Sequence, residues 1–346
     1  MFKKDIVASN LYIKSEGDNL LVVLVYVDDI IFGSTNDSSV LWFTNTMQSE
    51  FQMSMIEELS FFLGLQITQT TEGLFLSQEK YLREVLKRFQ MEDSSPVNTP
   101  MVVGCKLSKD DVSLDVDQRT YRSMIGSLLY ITTSHPNIMQ AVCMVGRFQS
   151  APKQSHLVVV KRIFKYFKGT MAYGLWYPRN QNFQLTTYSD DDWANCLDKR
   201  NSTSGGAFFL GDSLVAWLSK KQSSIALSTT EAEYIAAATC CTRVLWMIQA
   251  LRDLEINYAE PIPLHCDNTS AINISKNPVL HSKTKHIPIR YHFLKDQVAK
   301  KVVQLQYIPS TEQIVDIFTK PLPKKQFEYL RQKLGCHTLF QLTSSP

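Results

Sequence analysis

The sequence predicts an α/β protein of the α+β kind, with strand pairs and helices in separate blocks early in the chain and alternating later. Three observations carry this. Paired runs of Val, Ile, Leu and Phe enclose short turns up to Gln78, stretches with apolar residues at helical spacing follow to Phe167, and from about Asn182 closely spaced strands lead into helix and strand by turns.

Asn19 to Tyr26 and Ile30 to Gly33 flank an acidic turn, which predicts a β-hairpin with Val27, Asp28 and Asp29 near its tip. Thr35 to Phe51 reads as a helix that Asn36 or Asp37 can cap, with Val40, Phe43, Met47 and Phe51 on one stripe. A second strand pair, SFFLGLQIT and LFLSQ around the turn TTEG, precedes a helix from Glu79 to Phe89. Pro96, Pro100 and Gly104 mark Glu92 to Asp117 as an exposed connection. Helices follow at Arg119 to Thr133, Ile138 to Phe148 and Gln154 to Phe167. Around the last, Lys153, Lys161, Arg162, Lys165 and Lys168 interleave with Phe164, Tyr166 and Phe167, which suits either a solvated helix face or phosphate contact along a duplex. Beyond Asn182 come strands FQLTTYS, SGGAFFL and SLVAWLS, a long helix through Leu251, strand PIPLHC, short helices, strand VVQLQYI and a helix at Glu312 to Thr319. That order predicts a mixed five-stranded sheet flanked by helices.

A chain of 346 residues suits two domains of ordinary size. The net charge of +3 is too small to diagnose a nucleic-acid partner, so any basic surface must be local. Cys105, Cys143, Cys196, Cys240, Cys241, Cys266 and Cys336 are odd in number and lack CxxC spacing, which predicts a reducing, intracellular compartment, cytoplasmic or nuclear. His265 and Cys266, with His281 and His286 downstream, match no usual zinc ligand spacing. The apolar run Leu20 to Tyr26 falls far short of the roughly 20 residues that cross a bilayer and reads as a strand, so no membrane partner is expected. The segment MFKKDIVASN has no long apolar stretch for a secretory signal and begins so close to a strand that the chain is expected to continue something longer.

Four acidic residues stand in distinctive runs: Asp190 in YSDDDW, Glu233 in STTEAEY, Asp267 in LHCDN and Asp316 in QIVDIFTK. Asp190 and Asp267 lie at the ends of predicted strands, Glu233 and Asp316 on predicted helices, so one sheet edge can gather them all. Taken singly, each has a structural explanation. Asp190 to Asp192 suit a solvated turn, Glu233 stands three after Thr230 as in a capping box, Asp267 can cap the helix starting near Thr269, and Asp316 suits a helix surface. Their joint order argues for a shared site. Asp316 is the most telling, because Ile314, Val315, Ile317 and Phe318 surround it, and a carboxylate at the margin of a core needs a partner or a metal. Two Mg²⁺ ions about 4 Å apart require several hard oxygen ligands and stabilise both the attacking and the leaving oxygen of a phosphodiester displacement.

The runs YSDDDWANCLDKRNSTSGGAFFL, WLSKKQSSIALSTTEAEYIAAA, LHCDNTSAI and QIVDIFTKPLP resemble the ribonuclease H domain of copia-type long-terminal-repeat retrotransposon Pol polyproteins. Upstream, LVYVDDIIFGS, FFLGLQI, LSQEKYL, NTPM and YRSMIGSLLYIT resemble the reverse transcriptase of the same polyproteins, and the similarity runs from Met1 to about Lys325. The resemblance implies the C-terminal part of a reverse transcriptase palm at 1–77, thumb and connection helices at 78–176, a ribonuclease H-like domain at 182–325 and an unassigned tail at 326–346. It implies that Asp190, Glu233, Asp267 and Asp316 hold two Mg²⁺ ions that hydrolyse the RNA of an RNA–DNA hybrid. Asp192 is then a neighbour, and Glu231 competes with Glu233. Lys220 and Lys221, after a strand, are expected to contact phosphate, as are Lys161, Arg162, Lys165 and Lys168; a charged turn is the plainer reading of the first pair.

By the same resemblance, Asp28 and Asp29 of the YVDD turn are metal ligands of a polymerase centre whose further aspartate comes from an earlier palm strand. That strand and the fingers are absent from this sequence, so the polymerase half is expected to be truncated and inactive alone, with the missing N-terminal part of Pol as a partner. The sequence also departs from the family pattern. SHPNI stands where TRPDI is usual, HIPI where HIDI is usual, Val315 for Ala, and DDDWAN for DADWAG. Pro288 lacks both a carboxylate and an N–H, which alters helix entry there. The four candidate ligands are retained. The competing reading is a catalytically inactive remnant or a repurposed nucleic-acid-binding module.

Overall fold

A computed structural model describes residues 2–4, 10–53, 58–109, 111–179, 182–194, 198, 200–277 and 287–343. The chain forms two compact units, one of residues 1–60 and 242–259, the other of 61–241 and 260–346. Cys196, His281 and His286, and with His286 the start of the HIPI run, lie outside the described residues.

In the smaller unit, strands β1 (Lys3–Lys4), β2 (Leu11–Glu16), β3 (Asn19–Tyr26) and β4 (Asp29–Ser34) pair in that order as an antiparallel sheet. Alternation along β3 turns Leu21 and Val23 inward, where they meet Phe43 of helix α1 (Asp37–Glu50). Asn36 caps that helix by accepting from the Ser38 N–H at 2.9 Å. The hairpin tip places Asp28 and Asp29 in solvent, and Val27 stands at φ 51°, a conformation that β-branched residues rarely adopt.

The larger unit begins with β5 (Phe61–Phe62), β6 (Leu65–Gln69) and β7 (Gly73–Ser77). Helices α2 (Glu79–Arg88), α3 (Gln118–Ile131), α4 (Met139–Gly146) and α5 (Gln154–Lys168) lead to β8 (Tyr173–Pro178). Then come β9 (Leu185–Asp192), β10 (Thr203–Leu210), β11 (Ser213–Lys221), α6 (Thr229–Asp253, counted with the smaller unit from Thr242), β12 (Ile262–Cys266), α7 (Thr269–Lys276), α8 (Phe293–Ala299), β13 (Val303–Tyr307), α9 (Asp316–Thr319), α10 (Lys324–Lys333) and β14 (Cys336–Thr338). Two five-stranded sheets result, one ordered β14-β8-β7-β6-β5 and the other β11-β10-β9-β12-β13. In the second, β10 is antiparallel to both neighbours while β12 is parallel to β9 and β13. This is the mixed sheet with flanking helices expected of a ribonuclease H-like domain.

Several expectations change in the structure. The hairpin β6–β7 continues its ladder onto β8, and the two compact units part at 60/61. The helices expected as a separate block at 78–176 share one core with the second sheet: Ile125, Val142, Val160 and Phe164 belong to the same buried cluster as Phe209, Leu214 and Phe318. The tail, unassigned from sequence at 326–346, joins that core within its described residues through Phe327, Leu330, Leu334 and Cys336, and β14 completes the first sheet. Within the expected exposed connection, Thr99 and Met101 are buried. The helix expected over Glu312 to Thr319 is a 3₁₀ turn at Ser310–Glu312 followed by the single turn α9. Gln313 breaks it: its backbone is extended, and its side chain donates to the Ser189 carbonyl at 2.9 Å.

Helix α6 is long and apolar enough by composition to cross a membrane, yet its residues 231–238 are all buried within the protein. That packing depends on β10. Gly205 and Gly206 face opposite sides of the sheet, and a Cβ at Gly205 would lie 2.6 Å from Val315 Cγ1 and 2.7 Å from Thr319 Cγ2 of the α9 region. At Gly206 it would lie 2.6 Å from Cys240 Sγ of α6. Gly205→Ala and Gly206→Ala are each expected to lower unfolding stability by about 1–3 kcal/mol through overpacking. Urea denaturation checks this against Gly33→Ala, whose added methyl meets nothing within 4 Å.

Candidate metal centre

Strand β9 carries Asp190 to the end of the sheet, paired with Gly205 of β10. Because β12 runs parallel to β9 through Leu264 opposite Thr187, the chain leaves β12 at the same end and delivers Asp267 there. Helix α6 supplies Glu233 from its first turns and α9 supplies Asp316 as its first residue. Oxygen atoms of Glu233 and Asp267 and the Cys266 sulfur lie within 4.8 Å of one another. Lys320 Nζ is 2.8 Å from Asp316 and 3.9 Å from Asp190. The four acids thus converge from four elements, with Asp190, Glu233 and Asp316 buried and Asp267 half-buried.

Three of the four carboxylates are oriented by an oxygen or nitrogen donor. Thr319 donates its hydroxyl to Asp190 at 2.5 Å, Ser310 to Asp267 at 2.7 Å, and the Gln326 amide reaches Asp316 at 3.4 Å. The capping alternatives resolve as well. Ser228 accepts from the Glu231 N–H at 3.2 Å and Glu231 accepts from the Leu227 N–H at 2.7 Å, so Glu231 serves the helix end and Glu233 faces the other acids. Asn268, not Asp267, caps α7 by accepting from the Ala271 N–H at 2.9 Å.

The electrostatics follow from burial and crowding. Burial first, then the Asp316 and Asp267 carboxylates, push Asp190 up to about 8 although Lys320 and Thr319 pull it down. Burial and the nearby Asp190, Asp267 and Asp191 push Glu233 up to about 10, and burial also raises Asp316. Lys320 would be lowered by its own burial, but Asp190 and Asp316 outweigh this and raise it. Burial, joined by Asp190, pushes Asp191 up to about 8. Asp191 accepts at 2.8 Å from a Gln222 amide nitrogen that also lies 2.9 Å from the Ala232 carbonyl, linking β9 to α6.

With the carboxylates ionised, the centre carries more negative charge than one ammonium balances, and the donors are hard oxygens, so the residues fit Mg²⁺. Without a metal, burial raises the Cys266 thiol strongly, and it donates weakly to Glu233 at 3.9 Å. Lys320, Thr319, Ser310, Gln326 and Asp191 were missed by sequence reasoning. Lys320 alone left a signal there, the i,i+4 spacing from Asp316.

The remaining site residues lie elsewhere. Asp28 and Asp29 belong to the smaller unit. Lys220 and Lys221 are the last two residues of β11, opposite Ser204 and Thr203, where the sequence placed them after the strand. On α5, Lys161 is exposed and Lys165 and Lys168 are half-buried, while Arg162 donates to Thr99 at 3.1 Å. Phe164, Tyr166 and Phe167 are buried core, so no aromatic face interleaves with the basic residues at the surface.

A family model described as reverse transcriptase (RNA-dependent DNA polymerase) matches residues 1–103. The chain is 35% identical over 335 residues to the retrovirus-related Pol polyprotein from transposon RE1 of Arabidopsis thaliana, covering 96% of this chain and 23% of that polyprotein. To the corresponding polyprotein from transposon TNT 1-94 of Nicotiana tabacum it is 34% identical over 330 residues, covering 93% and 25%. An uncharacterized mitochondrial protein of Arabidopsis thaliana is 33% identical over 226 residues, covering 65% of this chain and 94% of that one. The chain spans about a quarter of the length of the two polyproteins. Among solved structures, the N-terminal ribonuclease H domain of rv2228c from Mycobacterium tuberculosis aligns with a TM-score of 0.29 at 9% identity, covering 44% of this chain and 98% of that one. LC11-RNase H1 in complex with an RNA/DNA hybrid aligns at 0.27 and 12%, covering 38% and 88%. Likeness at that level carries no weight beside the strand order itself.

The raised carboxylates make the metal-free fold pH-dependent. Between the ordinary carboxylate value near 4 and about 8, where Asp190 titrates, the folded state holds protons that the unfolded state has lost. Unfolding then releases protons, so stability falls as pH rises through this window. Thermal melts in a chelator are expected to show a lower Tm at pH 8 than at pH 5. Asp190→Asn is expected to flatten part of that slope.

Proposed function

Because the chain belongs to the copia-type retrotransposon Pol polyproteins, we propose that its 182–325 region hydrolyses the RNA strand of RNA–DNA hybrids with Mg²⁺. The observation that carries the reading is the convergence of Asp190, Glu233, Asp267 and Asp316 from four separate elements. Two bound Mg²⁺ ions would activate a water and stabilise the leaving oxygen. The chain's own residues prepare that chemistry: the carboxylates bind, Thr319, Ser310 and Gln326 fix their orientation, and the buried surroundings of Asp190 and Glu233 limit competing water.

The substrate reading rests on what tells RNA from DNA. The 2′-hydroxyl and helix shape distinguish the strands, and lysines near the centre add affinity without sequence preference. Lys220 and Lys221 on β11 suit that role better than the α5 residues, of which Arg162 is already engaged with Thr99. Asp28 and Asp29 form part of a polymerase centre that the rest of a larger Pol protein completes.

Three outcomes are expected. The whole chain with Mg²⁺ cuts RNA in a labelled hybrid and spares duplex DNA and duplex RNA; cleavage of all three, or of none, defeats the reading, the second result favouring an inactive remnant. Asp267→Asn lowers hydrolysis by roughly a thousandfold, about 4 kcal/mol of lost transition-state stabilisation, with circular dichroism unchanged, whereas Asp192→Asn is mild. In primer-extension assays with Mg²⁺ or Mn²⁺ the chain alone incorporates no deoxynucleotide, and extension sensitive to Asp28→Asn would refute the partial-centre reading.

A further inference from the structure

The carboxylates of the centre are not equivalent. Glu233 and Asp267 bring oxygen atoms within 4.8 Å of each other, an open pairing of hard donors. Asp190 and Asp316 are instead bridged by one ammonium, with Lys320 Nζ 2.8 Å from Asp316 and 3.9 Å from Asp190. The lysine side chain is 40% exposed, against 3% for Asp190 and 9% for Asp316, so it is the solvent-facing member of the trio. Its position is built in. Lys320 follows the single turn of α9, its N–H donates to the Asp316 carbonyl at 3.1 Å, and Pro321 ends the helix immediately after it.

We propose that Lys320 is a resident counter-cation that closes the Asp190–Asp316 half of the centre, so that the first divalent ion binds at Glu233 and Asp267 and a second binds only when the lysine leaves. Like charges a few ångströms apart disfavour one another, and a dication cannot share both carboxylates with an ammonium already seated between them. The side chain can leave because it is a flexible four-carbon stem already partly in solvent. Without it, the metal-free carboxylates would face one another unscreened. The lysine therefore keeps the centre assembled before the metal arrives and is exchanged for it afterwards. Once displaced, the ammonium is a point charge at the mouth of the centre, where a phosphate of the bound strand can receive it.

The inference rests on the metal-centre reading, and Mg²⁺ titration of the full chain without nucleic acid separates the two. Calorimetry of the unsubstituted protein is expected to show two binding events separated by more than about tenfold in affinity, a separation set by like-charge repulsion. Lys320→Gln tightens the second event by about tenfold or more and leaves the first unchanged; Lys320→Arg keeps the unsubstituted pattern. Equal affinities in the unsubstituted protein and Lys320→Gln overturn the lysine proposal. Absence of any ion binding in all three overturns the metal centre itself. A measurement on the unsubstituted protein guards against a variant that misfolds: amine-reactive labelling of Lys320, mapped by mass spectrometry, rises severalfold at saturating Mg²⁺. An unchanged or lower labelling rate overturns the exchange.

Discussion

Two helices approach opposite faces of one strand most closely where the strand presents no side chains to hold them off. Gly205 and Gly206 of β10 meet that condition, one beneath Val315, Phe318 and Thr319 and the other beneath Cys240. Through the first contact α9 comes close enough to β9 for Thr319 to donate to Asp190 and for Lys320 to bridge Asp190 and Asp316. Through the second, α6 lies against the sheet with Glu233 two turns upstream of Cys240. The acidic centre is therefore a consequence of packing distance. Buried carboxylates would not gather by themselves; close-packed backbone brings them together and the remaining core bears the electrostatic cost.

That cost shapes the neighbourhood. Raised Asp190, Glu233, Asp191 and Asp316 describe a site that favours protons or cations over bare charge. Hydroxyl and amide donors from Thr319, Ser310, Gln326 and Gln222 surround the acids, while the apolar residues flanking Asp316 anchor α9 in the core. Orientation is fixed by neutral donors, which leaves charge neutralisation to mobile or exchangeable cations. Carboxylates held in this way are oriented in advance for the hard cation that the proposed function requires.

Much of this was legible in the sequence because its signals are local. The alternation of NLLVVLVY and the five strands from FQLTTYS to VVQLQYI form where expected, whereas of the stripe Val40, Phe43, Met47 and Phe51 only Phe43 is buried and Phe51 is exposed past the helix end. The apolar flanks of Asp316 indicated a carboxylate held in the core margin, and it is buried there. Long-range pairing left no such signal. Strand β8 reads as YGLWYP with no turn partner nearby, and its neighbours are β7, nearly a hundred residues earlier, and β14 at the far end of the chain. The basic helix shows a related limit: periodicity identified its faces but not which face the core would take, and the core took the aromatic one. Ser310, Gln326 and Gln222 reach the site only through tertiary contacts, so their sequence context gave no hint.

Strand β14 has a bearing on how the protein is made. Its pairing of Cys336, His337 and Thr338 with Leu175, Gly174 and Tyr173 joins segments separated by nearly half the chain. On a ribosome, β8 emerges long before its final neighbour and must wait with one edge unpaired. Contacts of such sequence separation form slowly because the intervening loop must close first. Throughout that interval β8 carries an unpaired edge of the kind on which another strand can pair, and β14 is the segment that removes it.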